Sequence, residues 1–440
     1  MASAIIFILR DINHWAIKNV IRSIAESAKI HLLVYNISDE LVDFCNLHKI
    51  TFEVVYKKKW LLRLEHTLEA IVKIQNQVEH DRNRFISLNR GRKIKLKKKT
   101  GNHMIRIFPA WLMYFILARI SSEYDKLIKS PYNLVIYISR FLPSLHLPLR
   151  FQHVGAKVYH WNYSWDHPFR SNLIPPTSDL YLVWNTALAE DLVEIHRISR
   201  NRIKVVGSAV VDYLVDKSLH SSGNIKEVID FQNIKGKYLV YLFGTGYLPA
   251  LEQEKELVRL ISNILWNTRK DVVLIARPYP DSETGIDGYL DLENLPNVKV
   301  QKDIRIGSNM QTDEDMIVKR ELLENSLGVI NLYTTMAMEA AVLGKPVIQL
   351  AFIPESLSRL STGDGIDVEF LMTGKHLTKY LYRSEFPNVV LNEDELRVII
   401  RQVVNGDYNL NLLKYSDYLN SFCQPDKSKL SVEQIIDAIK

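Results

Sequence analysis

The stretch from Val329 to Ile348 reads VINLYTTMAMEAAVLGKPVI, and its pattern decides the fold class of the chain. It opens with a short apolar run, turns at Thr334 and Thr335, continues with helix-forming residues and stops at Gly344 before a second apolar run. A strand, a helix and another strand in this order predict a βαβ unit with parallel strands. The N-terminus of its helix exposes unpaired N–H groups, which suit an anion such as a diphosphate.

Glu339 lies one helical turn after Thr335, on the same face of the predicted helix. Its carboxylate is placed where it could bind a ribose hydroxyl. Ordinary helix capping by the threonines, with an acidic residue in the first turns, explains the same residues. The physical pattern alone leaves both interpretations open.

The alternation of strand and helix extends along most of the chain. Ala4–Leu9 is a continuous apolar run, as a strand buried on both faces requires, and a second series starts at Tyr238 after a polar stretch. We therefore predict an α/β protein of two Rossmann-like domains facing a cleft, at residues 1–220 and 221–410. We expect residues 411–440 to form a helical tail that packs on the N-terminal domain.

The composition of the chain excludes several classes of protein. Of its 440 residues, 47% are hydrophobic and 24% charged, the balance of a globular protein rather than of a disordered, collagen-like or coiled-coil chain. Its two cysteines are too few for a disulfide scaffold or a structural zinc site. No apolar run reaches the ~20 residues that span a bilayer, and the N-terminus lacks signal-peptide features. We expect a cytoplasmic protein.

The positive charge of the chain is concentrated in one segment. Residues 57–106 hold 15 Lys and Arg against 4 Asp and Glu, a net charge of +11 within a chain whose total is +6. We predict that residues 57–130 form a basic, mainly helical insertion that docks on an anionic membrane surface at the inner face. A solvated charge run beside a core helix is the plain alternative. Nucleic acid is disfavoured, because no recognition motif accompanies the charge.

Four blocks of sequence resemble one superfamily. The block at 329–348 resembles the C-terminal nucleotide-binding signature of glycosyltransferase-B enzymes, including the CDP-glycerol glycerophosphotransferase-like and UDP-N-acetylglucosamine 2-epimerase-like groups. Three more blocks, SWDHPFRS at 164–171, RIKVVGS at 202–208 and IARPYP at 275–280, resemble other segments of the same enzymes in the same order. The resemblance covers roughly residues 130–440. Two positions depart from the usual pattern: His167 stands for Asn, and Tyr279 stands for His.

The resemblance implies a donor site in the C-terminal domain. The residues it assigns to the nucleotide are Gly244, Thr245, Arg277, Tyr279, Thr334, Thr335 and Glu339. Arg277 follows a predicted strand, and its guanidinium can hold two phosphate oxygens at once; a surface salt bridge is the alternative. The glycine pair around Thr245 lets backbone N–H groups approach a phosphate, although a Gly-X-Gly alone is weak evidence.

Three residues are candidates for the catalytic base. Asp11 and His14 follow the first strand, and Asp166 lies between aromatic residues that would raise its pKa by desolvation. Capping of the first helix explains Asp11 equally well, and a turn before Pro168 explains Asp166. We prefer Asp166 over Asp11, with His14 as an orienting residue or a base.

The function that follows is transfer of a sugar from a nucleotide-activated donor to a glycan or lipid-linked acceptor in surface polysaccharide synthesis. We expect no cofactor, because the nucleotide-activated donor is a substrate, and no metal, because the histidines show no ligand spacing. The acidic run Asp313–Asp315 is interpreted as the start of a helix rather than as a metal motif. Two alternatives stay open: a polyol-phosphate transferase of the CDP-glycerol type, and a non-catalytic scaffold with the same fold.

Overall fold

The structure is a computed structural model of the chain. It describes residues 4–55, 112, 115–116, 118–119, 125–128, 132–138, 146–164, 174, 177–216, 236–244, 250–280, 284–302, 311–332, 334–354, 389–408 and 429–440. The described residues form two compact units. The N-terminal unit comprises those up to Asp212 together with 429–440, and the C-terminal unit comprises those from Tyr213 to 408. The predicted domain boundaries at 220 and 410 stay predictions.

The N-terminal unit is built on a parallel sheet. Its strands are β1 (Ala4–Leu9), β2 (Lys29–Val34), β3 (Thr51–Val54), β4 (Leu134–Tyr137), β5 (Lys157–Trp161), β6 (Leu180–Val183) and β7 (Ile203–Val205). Their order is β3-β2-β1-β4-β5-β6-β7, and every pair is parallel. The chain adds strands outward on one side of β1 and then returns to add the rest beyond it. That reversal, between β1 and β4, is where ligands of open α/β sheets bind.

Helices alternate with these strands along the chain. They are α1 (Trp15–Ala25), α2 (Asp39–Leu47), α3 (Asp125–Ile128), α4 (His146–His153) and α5 (Thr186–His196). The short α6 (Asp212–Val215) lies where the chain passes from one unit to the other, and α11 (Ser431–Ile439) returns to pack on α1.

The C-terminal unit repeats the same design. Its strands are β8 (Lys237–Leu242), β9 (Val272–Arg277), β10 (Val298–Val300), β11 (Val329–Asn331), β12 (Val347–Leu350) and β13 (Val389–Val390). Its helices are α7 (Ala250–Thr268), α8 (Asp313–Glu324), α9 (Met336–Val342) and α10 (Glu393–Asn405). The strand order is β10-β9-β8-β11-β12-β13, again all parallel, with the reversal between β8 and β11.

The apolar patterns of the sequence account for the core. Every residue of β1 is completely buried, as its unbroken apolar run predicts. In α1 the buried face includes Trp15, Val20, Ile21 and Ile24, which recur at helical spacing. The α/β class and the two sheets of the sequence prediction are confirmed.

Candidate functional site

At the carboxyl edge of the C-terminal sheet, Arg277, which was predicted to bind the nucleotide, lies level with the ends of the neighbouring strands. Arg277 is the last residue of β9 and pairs in register with Leu242 at the end of β8. On the other side of Leu242 lies Asn331, the last residue of β11. Arg277 and Asn331 therefore flank the topological reversal of this sheet, two strand spacings or about 10 Å apart.

Arg277 is held by a neighbouring polar side chain. One of its terminal nitrogens donates to Oε1 of Gln301, 2.6 Å away, and Gln301 follows β10 with only 3% of its surface exposed. Nε2 of Gln301 has no partner among the described residues. The Gln301 amide is neutral, so it orients the guanidinium without neutralising its charge.

Glu339 is the centre of a buried cluster. Oε2 of this carboxylate accepts a hydrogen bond of 2.6 Å from the Tyr213 hydroxyl and forms an ion pair with Nζ of Lys319, on α8. The Lys319 ammonium also lies 5.4 Å from the centre of the Tyr213 ring, a cation–π distance. The side chains of Lys319 and Glu339 are 14% and 3% exposed, so the pair is largely withdrawn from water.

The electrostatics of this cluster include Arg277. Burial lowers the pKa of Lys319, the charge of Glu339 opposes that shift, and the charge of Arg277 adds to it. Burial also raises the pKa of Tyr213 well above its usual value, and the Glu339 charge raises it further. Two cations and one carboxylate thus act on one another at this edge, which leaves positive charge for an anionic ligand.

The turn before α9 lies at Thr334 and Thr335, where the sequence predicts it, but the Thr335 side chain makes no capping hydrogen bond. Thr335 is the residue preceding the first turn of α9, and both threonines are half-buried. The Thr334 N–H donates to Oδ1 of Asn331 at 3.2 Å, and the Thr334 hydroxyl accepts from the Met336 N–H at 3.4 Å. Asn331 is completely buried, and its Nδ2 has no partner among the described residues. The turn is thus partly satisfied by its own side chains.

The Gly244 amide has a protein partner that the sequence did not suggest. It donates to both oxygens of Glu254, at 3.2 and 3.0 Å, and Tyr241 donates to the same carboxylate at 3.2 Å. Glu254 lies in the first turns of α7 and is completely buried. The Gly244 N–H is therefore not available to the phosphate that the sequence predicts here, and Thr245 lies outside the described residues.

Aromatic packing fixes the turn after β9. The Tyr279 N–H donates to the hydroxyl of Tyr289 at 3.3 Å, and the Tyr289 ring packs edge-on against Phe243 at 4.9 Å. The Phe243 N–H in turn donates to the carbonyl of Arg277. Tyr279 itself is half-buried beside Arg277 in sequence, and its backbone is held whatever its side chain binds.

In the N-terminal unit, Asp11 and His14 have separate local roles. The Asp11 carboxylate accepts from the Asn13 N–H at 3.2 Å and lies 3.4 Å from the Arg10 guanidinium. The cap of α1 is His14, whose Nδ1 accepts from the Ala16 N–H at 3.3 Å. A neutral His14 that accepts at Nδ1 carries its proton on Nε2, so a role as base competes with its role as cap. Asp11 therefore does not cap α1. Its carboxylate closes a turn just before the cap at His14.

An aromatic side chain, Tyr163, reaches His14 from the loop after β5. The His14 and Tyr163 rings lie 5.2 Å apart. The preceding residue, Asn162, is completely buried, and neither atom of its amide has a partner among the described residues. This edge of the N-terminal sheet therefore combines Asp11, His14 and Asn162 with aromatic surface. Asp166, the preferred base, lies outside the described residues.

Several residues of these sites carry no sequence signal. Lys319 and Tyr213 resemble any lysine and tyrosine of an amphipathic helix, and Tyr213 reaches Glu339 across 126 positions of the chain. Gln301 and Glu254 are found only through the pairing of β10 with β9 and the packing of α7. The acidic run at the start of α8 is confirmed as a helix start, because Thr312 and Asp315 form a reciprocal capping box there. Within the described part of the chain, no group of three His, Cys, Asp or Glu side chains could hold a metal ion.

Comparisons with known proteins bear on the fold. No protein-family model matches the chain, and no curated protein sequence matches it significantly. Solved structures resemble it over nearly its whole length. A UDP-GlcNAc 2-epimerase from Neisseria meningitidis, solved bound to UDP-GlcNAc, superposes with a TM-score of 0.56 at 11% identity and covers 99% of both chains.

Two other solved structures give a similar result. A glycosyltransferase from Rickettsia africae covers 99% of this chain and 97% of its own, with a TM-score of 0.52 at 11% identity. A UDP-GlcNAc 2-epimerase from Methanocaldococcus jannaschii, in complex with UDP-GlcNAc and UDP, covers 99% of both chains with a TM-score of 0.51 at 14% identity. The chain has the glycosyltransferase-B fold. Its structural neighbours are enzymes, glycosyltransferases or epimerases, and several of them were solved with a uridine nucleotide.

Proposed function

We propose that this protein is a metal-independent glycosyltransferase that takes a sugar from a nucleotide-activated donor bound by the C-terminal unit. The observation that carries the proposal is the cluster of Arg277, Lys319 and Glu339 at the carboxyl edge of this sheet. Parallel α/β sheets bind ligands at this edge, at the topological reversal. Solved neighbours with the same fold hold UDP-GlcNAc or UDP, which supports a nucleotide sugar as the donor.

The roles of the residues follow from their chemistry. Arg277 lies beside the reversal and supplies a planar cation for the diphosphate, whose charge grows as the sugar departs. Glu339 supplies an acceptor for the ribose. The Thr334 N–H is used by Asn331, so the two threonines would contribute their hydroxyl groups at the start of α9. Tyr279, in the turn after β9, and the sequence Gly244-Thr245 are the further proposed contacts to the nucleotide.

We propose that the acceptor binds to the N-terminal unit. Asp11, His14 and Asp166 are the candidate bases that would deprotonate its hydroxyl or hold it in place. The proposed acceptor is a glycan or a lipid-linked glycan, and the proposed setting is surface polysaccharide synthesis. Support for a lipid-linked acceptor comes from the net charge of +11 at residues 57–106. Exposed apolar side chains follow this segment: Leu112, Phe115 and Ile116 are helical and 50%, 42% and 43% exposed.

Epimerisation of a nucleotide sugar is a second candidate, because two of the solved neighbours above are UDP-GlcNAc 2-epimerases. The two reactions differ in what happens to the donor. A transferase breaks the bond between sugar and nucleotide and needs an acceptor hydroxyl. An epimerase that acts on the nucleotide sugar returns an intact nucleotide sugar and needs no acceptor.

The decisive experiment incubates the protein with UDP-, GDP-, dTDP- and CMP-sugars and with CDP-glycerol, with and without membrane-derived glycan acceptors. Release of a nucleoside diphosphate from a UDP-, GDP- or dTDP-sugar, or of CMP from a CMP-sugar, only with acceptor supports sugar transfer. Release of CMP from CDP-glycerol only with acceptor supports polyol-phosphate transfer. Conversion of the donor to its epimer without acceptor supports the second candidate. No turnover of any donor contradicts both and favours the scaffold.

Variants tie the turnover to the proposed site. Arg277→Ala should lower turnover at least about tenfold, because one good phosphate contact is worth about 1.4 kcal/mol or more. Arg269→Ala is the matched control, since Arg269 pairs with Asp271 at the surface of the same unit. Equal turnover in the two variants would remove Arg277 from the site.

A further inference from the structure

Among the described residues, the contacts to the Glu339 carboxylate are made through only one of its two oxygens. The Tyr213 hydroxyl and the Lys319 ammonium both reach Oε2, and no group of the described residues donates to Oε1. Each carboxylate oxygen has two acceptor positions. Two donors therefore occupy the positions of Oε2, and both positions of Oε1 remain for a ligand.

The cluster also restricts how the carboxylate can turn. An exposed glutamate samples several side-chain torsions and would lose that freedom on binding a ligand. Glu339 is buried in α9, and its Oε2 is tied to α8 through Lys319 and to α6 through Tyr213. A carboxylate fixed in advance by a cation and a hydroxyl presents its second oxygen in one direction, which is the usual way of preorganising a binding group.

We propose that Lys319 and Tyr213 are positioning residues that clamp Oε2 of Glu339 so that Oε1 faces the vicinal hydroxyls of a ribose and selects ribonucleotides over deoxynucleotides. This inference rests on the proposed nucleotide site of the C-terminal unit. Oε1 can accept from two adjacent hydroxyls at once. A nucleotide that lacks one of these hydroxyls leaves an acceptor position of a nearly buried carboxylate without a hydrogen bond. The missing hydrogen bond costs binding free energy, so the site should bind the ribonucleotide much more tightly than the deoxynucleotide.

The test compares ribose selectivity in matched variants. Binding of UDP, CDP, GDP and ADP to the unaltered protein is measured by calorimetry, followed by the 2′-deoxy and 3′-deoxy forms of whichever binds. We expect at least one deoxy form to bind roughly tenfold or more weakly than the ribonucleotide. Tyr213→Phe and Lys319→Met should each reduce the ratio of ribonucleotide to deoxynucleotide affinity at least about threefold. Lys319→Arg should retain most of this ratio, because it keeps a cation beside Glu339.

Controls separate positioning from general damage to the fold. Tyr238→Phe removes another buried hydroxyl of the same unit, which donates to the Leu322 carbonyl. Lys302→Met removes a surface lysine that pairs with Glu293. Both should leave the selectivity ratio unchanged. If Lys319→Met does not fold, the milder Tyr213→Phe carries the test alone.

The outcomes distinguish this inference from the function on which it rests. Ribonucleotide binding with a selectivity ratio that neither Tyr213→Phe nor Lys319→Met changes would overturn the clamp and leave the proposed donor site standing. Equal binding of ribo- and deoxynucleotides by the unaltered protein would do the same. Binding of dTDP alone, or of none of the four ribonucleotides, would overturn the clamp, and failure of dTDP to bind as well would also contradict the donor site.

Discussion

His31 lies on β2 with its ring nearly buried, and its Nδ1 is 2.8 Å from the Thr51 hydroxyl. Burial lowers the pKa of His31 from its usual 6.5; the Lys126 charge lowers it further, and the Glu53 charge opposes both. The folded protein therefore binds this proton less tightly than the unfolded chain does. Stability that is present above about pH 6.5 should be lost as the pH falls below it.

This predicts an acid-sensitive N-terminal unit. Between about pH 7.5 and pH 5.5, the urea midpoint of unfolding should fall less in His31→Gln than in the unaltered protein. The glutamine amide can still form a hydrogen bond with the Thr51 hydroxyl, but it takes up no proton in this pH range. The exposed His153 of α4 provides the control, because His153→Gln should preserve the original pH dependence. An identical pH dependence in all three proteins would refute the assignment to His31.

Residue roles could be predicted from the sequence only where the partners are close along the chain. Thr312 and Asp315 are three positions apart, and their helix start was predicted correctly. The cap of α1 was assigned to Asp11 as an alternative, whereas His14 makes it, because a histidine cap depends on a ring orientation that sequence does not encode. Lys319 and Tyr213 meet Glu339 only after three elements have packed together.

At the scale of elements, α11 is attached to the N-terminal unit by a buried carboxylate. Asp212 is completely buried and accepts from the N–H groups of Ser431 and Val432 at 2.9 and 2.8 Å. These N–H groups belong to the first turn of α11, which has no partners within the helix for them. A residue 219 positions away thus performs the capping that a neighbouring side chain usually provides.

Asp212→Ala should therefore destabilise the protein by about 2 kcal/mol, since it removes two hydrogen bonds to a charged acceptor at a helix start. Hydrogen exchange of the α11 amides should accelerate at the same time. Asp437→Ala is the control on the same helix, where an exposed carboxylate pairs with Lys429 and Lys440 and should contribute much less to stability because solvent screens both pairs. If the two variants are equally stable, α11 does not depend on the Asp212 cap.

Elements with a strong apolar pattern were predicted to within a few residues. β1 was predicted at its observed bounds, and the second series of strands, expected to start at Tyr238, starts with β8, Lys237–Leu242. The strands of both sheets are parallel, as the predicted βαβ pattern requires. The short β13 and the capping of α11 by Asp212 were not predicted, because two residues carry no pattern and a contact between residues 219 positions apart leaves no periodicity.

At the scale of the whole molecule, charge and exposed apolar surface together predict membrane docking. The protein should sediment with vesicles that contain anionic phospholipid, and high salt should release it, since each basic residue near such a surface contributes about 1 kcal/mol. No helix of the described residues is long and apolar enough to cross a bilayer. Replacing both Phe115 and Ile116 by Ser should lower the fraction of protein that sediments with anionic vesicles.

The matched control for this prediction is Val398→Ser in the C-terminal unit, which also changes an exposed apolar side chain, 55% exposed. It should sediment like the unaltered protein. Equal sedimentation with neutral and anionic vesicles, or none with either, would contradict docking through the basic segment. Residues 57–111 lie outside the described part of the structure, so membrane docking stays a prediction from the charge of the sequence.

The fold of the whole chain was predictable because both units obey simple pattern rules, while the donor and acceptor were not. Solved structures with this fold include a glycosyltransferase and UDP-GlcNAc 2-epimerases, so the fold alone does not give the reaction. The sequence places Arg277 and Glu339 at strand and helix ends, but only the strand register shows that Arg277 lies beside the reversal of the sheet.

The measurement that tests the central claim most directly is calorimetric titration of the purified protein with UDP, CDP, GDP, ADP and dTDP, alongside Arg277→Ala. The account predicts that one of these nucleotides binds at a single site and that Arg277→Ala weakens it at least about tenfold. Failure of every nucleotide to bind at millimolar concentration, or equal affinity in the unaltered protein and Arg277→Ala, would contradict a donor site at the carboxyl edge of the C-terminal sheet.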